Sequence, residues 1–398
     1  MKSFEMQIPV GVAEIMKTFE LQGFQAFLVG GCVRDTLLGL TPHDFDVATN
    51  APLEQTKQLF PKTLAVGEQF GILVVVCEDG SSVEVACFRQ EHGTTDGRHP
   101  ENVAFVTDIV SDLARRDFTI NAMALDLRGN LIDPFGGLEA LKHQVIQTVG
   151  SPLLRFEEDF LRILRGFRFS AKLGFSLEAE TLKAAIALSA SLENVSKERI
   201  GQEITKLLAA EAPGKTFKLM LDFGIFEKIL PELQHQVVKK PAFSSELASL
   251  LDRASPSLRL GSLAFLAGKE VSGEKLKASL KLANAEVALL KNTSLALTLL
   301  ASEQPSEFLV RRLLNKTSKQ MGALLISSKL CDENVRLLIE KVLASGACTS
   351  LTDLKINGDD LLVAGFKGPE IGKKLKEILA FVLENPEQNE RKKLLARL

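Results

Sequence analysis

The stretch Phe27–Pro52, FLVGGCVRDTLLGLTPHDFDVATNAP, sets a glycine pair directly after an apolar run and two aspartates one residue apart a little further on. Gly30 and Gly31 let the backbone come close to a ligand, and CVRDTLLG then opens a helix whose free N–H groups attract phosphate. The dinucleotide fingerprint GxGxxG is absent, because GGCVRD has neither its spacing nor its third glycine. Arg34, one turn into the helix, carries a guanidinium able to clamp a triphosphate bidentately. If HDFDVAT is a strand, Asp44 and Asp46 point the same way, since strand side chains alternate. Two carboxylates roughly 7 Å apart on one face can share divalent cations, and Mg²⁺ takes one or two carboxylates together with substrate phosphates. Glu84, in SVEVACF, adds a third carboxylate within an otherwise apolar strand, where it needs solvent or a cation. Three carboxylates on neighbouring strands form a site for in-line attack on a phosphoryl group.

Outward from this stretch the pattern is a mixed one. Residues 10–22 repeat apolar positions at helical spacing and end at Gly23. Short apolar or alternating runs follow at 26–29, 44–49, 72–77, 82–88 and 122–127, and EDGSS between the third and fourth signals a hairpin. From about Ser151 strand signals vanish, and Leu, Ala, Lys and Glu at helical periods take over. The fold class is therefore α+β: a mixed-sheet head over 1–150, then an all-α remainder, divided here into a neck (151–210), a body (211–330) and a tail (331–398).

Composition supports that division. The 398 residues have a net charge of −2, but residues 1–150 hold 11 Lys and Arg against 20 Asp and Glu, a net of −9. The remaining residues hold 37 against 30, a net of +7. An acidic head suits cations, and a basic helical part suits a polyanion such as RNA. No run of apolar residues is long enough to span a membrane, and the N-terminal stretch lacks a signal peptide's apolar centre, so a cytoplasmic protein is expected. Five widely spaced cysteines read as small core residues, not as a zinc site or a disulfide frame. With 24 Phe but no Tyr or Trp, nucleic-acid contacts must lean on phosphates and shape.

RFEEDFLRILRGFRF, starting at Arg155, places Phe156, Phe160, Ile163, Leu164 and Phe167 on one arc of a helix. Asp159, Arg162 and Arg165 lie outside that arc. Asp159 and Arg162, three apart, would be neighbours on the helix surface, as in an ordinary surface ion pair.

LVGGCVRDTLLG…DFDVAT resembles the opening signature of class II tRNA nucleotidyltransferases, the CCA-adding enzymes, and of the bacterial poly(A) polymerases in the polymerase-β-like nucleotidyltransferase superfamily. VEVACFR, DLARRDFTINAMALD, IDPFGG and RFEEDFLRILRGFRFSAKLGF continue the match in order. The resemblance implies CCA addition to the 3′ end of tRNA from CTP and ATP, with two Mg²⁺ ions. Asp44 and Asp46 match the metal-binding positions and, with Glu84, the catalytic ones. Gly31, Arg34, Arg116, Asp159, Arg162, Arg165 and Arg168 match nucleotide-binding positions, and Arg115 is a lesser candidate. Asp117 and Asn121 are read as structural or ribose-contacting. QEHGTTDGRHPEN is read as a surface loop or, by resemblance, as the loop used in switching from CTP to ATP.

Base chemistry shows what an Asp/Arg pair can do in such a protein. Cytosine and adenine present an amino donor beside a ring-nitrogen acceptor, whereas uracil and guanine present a carbonyl beside an N–H. A carboxylate and a guanidinium suit the first two and leave buried groups unpaired with the others, which costs a few kcal/mol. The rival readings are a poly(A) polymerase, a CC-only or A-only enzyme, and an inactive RNA-binding protein. The oligomeric state stays open between monomer and homodimer.

Overall fold

The computed structural model describes residues 4, 7–64, 71–94 and 100–398, and the chain divides into two compact units: Met1–Leu207 with Phe223–Ile229, and Leu208–Asp222 with Leu230–Leu398. The first unit begins with α1 (Val10–Leu21), whose residues Val12, Ile15, Met16 and Phe19 are buried as the helical spacing predicts. Then come β1 (Ala26–Val29), α2 (Gly31–Leu37), β2 (Asp46–Thr49), α3 (Leu53–Leu59), β3 (Thr63–Leu64), β4 (Ile72–Val76) and β5 (Ser82–Cys87). These strands, with β8 (Ala124–Leu125) and β9 (Leu131–Ile132), form one sheet in the order β3-β4-β5-β2-β1-β8-β9. All its pairings are antiparallel except β2 with β5, whose parallel register sets Asp46 opposite Glu84.

That single parallel pair has a sequence cause. β4 and β5 are joined by the predicted EDGSS turn and pair antiparallel, so β5 runs back along β2. Alternation along β5 buries Val83, Val85 and Cys87 and leaves Glu84 exposed. One face of the sheet meets α4 (Ile109–Ala114) in a core of Val29, Ala48, Phe88, Ile109, Leu113, Ala122 and Ala124.

Three sequence readings need correction. The strand containing the aspartates starts only at Asp46, and Asp44 precedes it. The excursion after β5 is largely a hairpin, β6 (Arg89–Thr94) with β7 (Pro100–Phe105), while Asp96–His99 of DGRHP lie outside the described residues. Strand structure also does not stop at Ser151. Following α5 (Gly137–Lys142), β10 (Val145–Ile146) pairs in parallel with β11 (Ser176–Leu177), two residues each, too short for periodicity to reveal. Between these strands lie α6 (Pro152–Glu158) and α7 (Leu161–Leu173), and beyond them α8 (Ala179–Ala187) and α9 (Lys197–Leu208).

The second unit is helical throughout its described residues. Its helices are α10 (Gly214–Asp222), α11 (Pro231–Lys239), α12 (Phe243–Arg253), α13 (Arg259–Ala267), α14 (Gly273–Leu280) and α15 (Asn284–Ser302). They continue with α16 (Glu307–Lys316), α17 (Lys319–Ile326), α18 (Glu333–Ala344), α19 (Gly358–Val363), α20 (Pro369–Glu384) and α21 (Arg391–Leu395). One core gathers Leu258, Ala296, Leu313, Leu325 and Ile339, and a second gathers Ile356, Leu361, Val382 and Leu394. Arg259, 2% exposed, donates to the carbonyls of Leu208, Ala210, Glu211, Leu251 and Ala254, so its burial leaves few donors unpaired.

Helices α13 and α15 approach so closely that a Cβ on Gly261 would lie 2.3 Å from Thr293 Cβ and 2.9 Å from the Leu290 carbonyl oxygen. Gly261→Ala should therefore destabilise the protein by about 1–3 kcal/mol despite alanine's better helix propensity. Urea unfolding of the two proteins measures this, and an unchanged or raised midpoint would contradict the close approach.

Candidate active site

A cleft of about 1070 Å³ opens in the first unit, and its wall includes every one of the ten residues singled out in the sequence: Gly31, Arg34, Asp44, Asp46, Glu84, Arg116, Asp159, Arg162, Arg165 and Arg168. Its floor is the turn from β1 into α2. Gly30 has φ +75° and ψ −129°, a conformation open in practice to glycine alone, and a Cβ there would meet Arg116 Nη1 at 3.0 Å. One turn on, Arg34 is 3% exposed. It donates from Nε to Asp35 at 2.8 Å and from Nη1 to Asn121 Oδ1 at 2.7 Å. These bonds aim a long side chain at one place, which a sequence reading of Arg34 alone does not supply.

Asp46 and Glu84 face each other on adjacent strands, with Asp44 just ahead of the first. Burial and the neighbouring Glu84 push Asp46 up to about 6, with Arg116 opposing and Asp44 adding to the rise. Like charge is thus concentrated where a cation would relieve it. Among the described residues no three His, Cys, Asp or Glu side chains gather closely enough to hold a metal by themselves. The donor set fits Mg²⁺ that draws one or two protein carboxylates and completes its shell with substrate oxygens.

The cleft is also strongly cationic, with nine arginines lining it. Asp117 is the hub of the deeper ones. Its Oδ2 accepts from Arg165 Nε at 2.8 Å and Nη2 at 2.6 Å, and its Oδ1 accepts from Asn121 Nδ2 at 3.2 Å and the Phe118 amide at 2.8 Å. Burial opposes its ionisation, yet Arg165 and these hydrogen bonds hold its carboxyl down to about 2. Arg168 pairs with buried Glu203 at 2.6 Å and lies 4.1 Å from the Phe169 ring centroid. Arg34 and Arg165 lie 5.4 and 5.7 Å from the same centroid, so one buried ring carries three guanidiniums.

The structure corrects the expected helix through Asp159. Asp159 has φ −157° and ψ 104°, which breaks the run into α6 and α7. The predicted core arc survives, with Phe156, Ile163, Leu164 and Phe167 buried and Phe160 partly so. The expected surface pairing of Asp159 with Arg162 does not form. Asp159 accepts from the Leu161 amide at 3.1 Å and from Arg199 Nη2 at 2.7 Å. Arg162 pairs with Glu158 and donates to the carbonyls of Arg155 at 3.0 Å and Arg115 at 3.3 Å. Sequence reasoning missed Arg155, Glu158, Arg199, Glu203 and Phe169. Arg155 and Glu158 were legible as an i,i+3 pair, but Arg199 stands 40 residues from Asp159 and sent no local signal.

The family model of the poly A polymerase head domain matches residues 26–147, that of the probable RNA- and SrmB-binding site of polymerase A matches 174–236, and that of tRNA nucleotidyltransferase domain 2 matches 262–398. A CCA-adding enzyme of Geobacillus sp. strain WCH70 is 37% identical over 92% of this chain and 90% of its own length. This chain belongs to the CCA-adding enzymes. Another member, from Limosilactobacillus fermentum, is 35% identical over 96% of this chain and 94% of its own. Among solved structures, the Bacillus stearothermophilus CCA-adding enzyme in complex with CTP has a TM-score of 0.81 at 30% identity, covering 98% of this chain and 97% of that one. The Thermotoga maritima CCA-adding enzyme complexed with tRNA shares the fold, with a TM-score of 0.67 at 21% identity. As in a CCA tRNA nucleotidyltransferase, a mixed-sheet head precedes a helical remainder. No helix among the described residues is long and apolar enough to cross a membrane.

The depressed Asp117 carboxyl makes a pH prediction. Its folded value of about 2 lies below the ordinary 3.8, so its stabilising contribution is fully present above about pH 4 and is lost as pH falls towards 2. Asp117→Asn should destabilise the protein at pH 7, and the gap from the parent should narrow between pH 4 and pH 3 in urea unfolding. A gap that does not change with pH would remove the ion pair as its cause.

Proposed function

We propose that this cleft performs template-independent addition of C, C and A to the 3′ end of tRNA, with CTP and ATP as substrates and pyrophosphate released. The supporting observation is the convergence, on one cleft, of the carboxylates Asp44, Asp46 and Glu84 with Asp159 and Arg162. Asp44, Asp46 and Glu84 are the catalytic carboxylates. When bound, two Mg²⁺ ions with Asp44 and Asp46 as protein ligands supply Lewis-acid stabilisation of charge on the triphosphate. Gly31 lets the α2 turn approach the nucleotide, while Arg34 and Arg116 neutralise its phosphates. Arg165 and Arg168, held by Asp117 and Glu203, line its other side.

Asp159 and Arg162 read the base, Asp159 accepting from the amino group and Arg162 donating to the ring nitrogen. Arg162 is paired with Glu158 in this structure, so base reading requires it to exchange that partner for the nucleotide. The basic helical part, with its neck, body and tail, holds the tRNA through phosphates and shape. The location proposed is the cytoplasm, where tRNA is the available partner.

The decisive assay offers tRNAs ending at the discriminator base, C, CC or CCA to the protein with each labelled nucleotide, and with CTP and ATP together. Addition should stop at CCA. Failure to incorporate CTP, or long tails of A, would instead identify a poly(A) polymerase or an A-only enzyme. Asp46→Ala should abolish incorporation and leave tRNA binding nearly intact; retained turnover would remove Asp46 from the reaction. Asp159→Ala should reduce discrimination against UTP and GTP by about 10- to 100-fold, the scale of a lost buried hydrogen-bond partner.

A further inference from the structure

Asp112, in α4, is 1% exposed and does not line the cleft, yet three residues that do line it converge on its carboxylate. Oδ1 accepts from Arg115 Nε at 3.0 Å, Arg115 Nη2 at 2.8 Å and the Arg89 backbone N–H at 3.3 Å. Oδ2 accepts from Arg116 Nη2 at 3.3 Å. The helix that carries it is fixed in turn by Asp108, whose side chain accepts from the Val110 and Ser111 amides.

The arrangement has a direction. A fully buried carboxylate is costly unless it is paired, and here burial is outweighed by Arg115 and Arg116, which hold the Asp112 carboxyl below its usual range. Arg116 reaches onward from this anchor. Its Nη1 lies 3.0 Å from where a Cβ on Gly30 would sit, and its charge is felt at Asp46. Among the described residues its Nε has no hydrogen-bond partner. An arginine side chain is otherwise free in several torsions, so a buried counter-charge at its root confines where the guanidinium can go.

We propose that Asp112 is a positioning residue for nucleotide binding: without touching substrate, it fixes Arg115 and Arg116 in the cleft and ties both to Arg89, the first residue of the β6–β7 hairpin. The proposal rests on the reading of Arg116 as nucleotide-binding. Loss of the charge leaves two adjacent guanidiniums without their shared counter-ion, while Arg116 still acts on Asp46.

The test measures KM and kcat in the full chain, for CTP on tRNA lacking CCA and for ATP on tRNA ending in CC. Asp112→Asn keeps the side-chain volume and should raise KM for both nucleotides by about 10- to 100-fold, with a smaller fall in kcat. Asp112→Glu keeps the charge and should recover part of that loss. In an Arg116→Ala background Asp112→Asn should add a much smaller loss of kcat/KM than in the parent, the non-additivity expected of coupled residues. An equal loss in both backgrounds overturns the proposal, as does an unchanged KM in Asp112→Asn. Should that variant not fold, a KM shift in Asp112→Glu at an unchanged unfolding midpoint supports the proposal, and an unchanged KM overturns it. Full kcat/KM in Arg116→Ala alone would overturn the reading of Arg116 instead.

Discussion

Parallel pairing of β2 with β5 forces Asp46 and Glu84 into the same register on adjacent strands, with Asp44 just ahead, and the surrounding structure answers that concentration of like charge. Asp46, partly buried beside Glu84, resists ionisation unless positive charge is near. Arg116 supplies some of it from the protein. A cationic ligand that shares its shell with phosphate oxygens would relieve the remainder.

Positive charge near a partly buried site creates its own difficulty, because unanchored arginines would collapse onto the carboxylates. The structure meets this with a second tier of buried acids. Asp112 holds Arg115 and Arg116, Asp117 holds Arg165, and Glu203 holds Arg168. Each of these acids is at most 8% exposed, so their attraction is little screened by solvent. Asn121 links two of the tiers, donating to Asp117 and accepting from Arg34. Guanidiniums held in this way lose less conformational freedom when they meet an anion.

The α6–α7 break has a local cause. Its apolar residues keep one phase across the break, so the helical period is undisturbed while Asp159 leaves the helix. The Asp159 carboxylate then accepts the Leu161 amide at the new helix start, a turn that aspartate favours. That preference was present in EEDFLR, although nothing in the apolar spacing pointed to it.

Much of the head was legible in the residues themselves. AFLV and ILVVV became strands at the expected positions, the EDGSS turn gave its hairpin, and the glycine pair ended β1 and opened α2, because each depends on backbone preference or alternation within a few residues. Local sequence also marked Asp44, Asp46, Glu84 and the arginines as chemically unusual. The partners were decided only by the tertiary structure: Asp112 under Arg116, Asp117 under Arg165, and Arg199 beside Asp159 across 40 residues. Periodicity reports which face of an element is buried, but only the folded chain determines which charged groups from distant segments meet there, and buried charges are stable only in company.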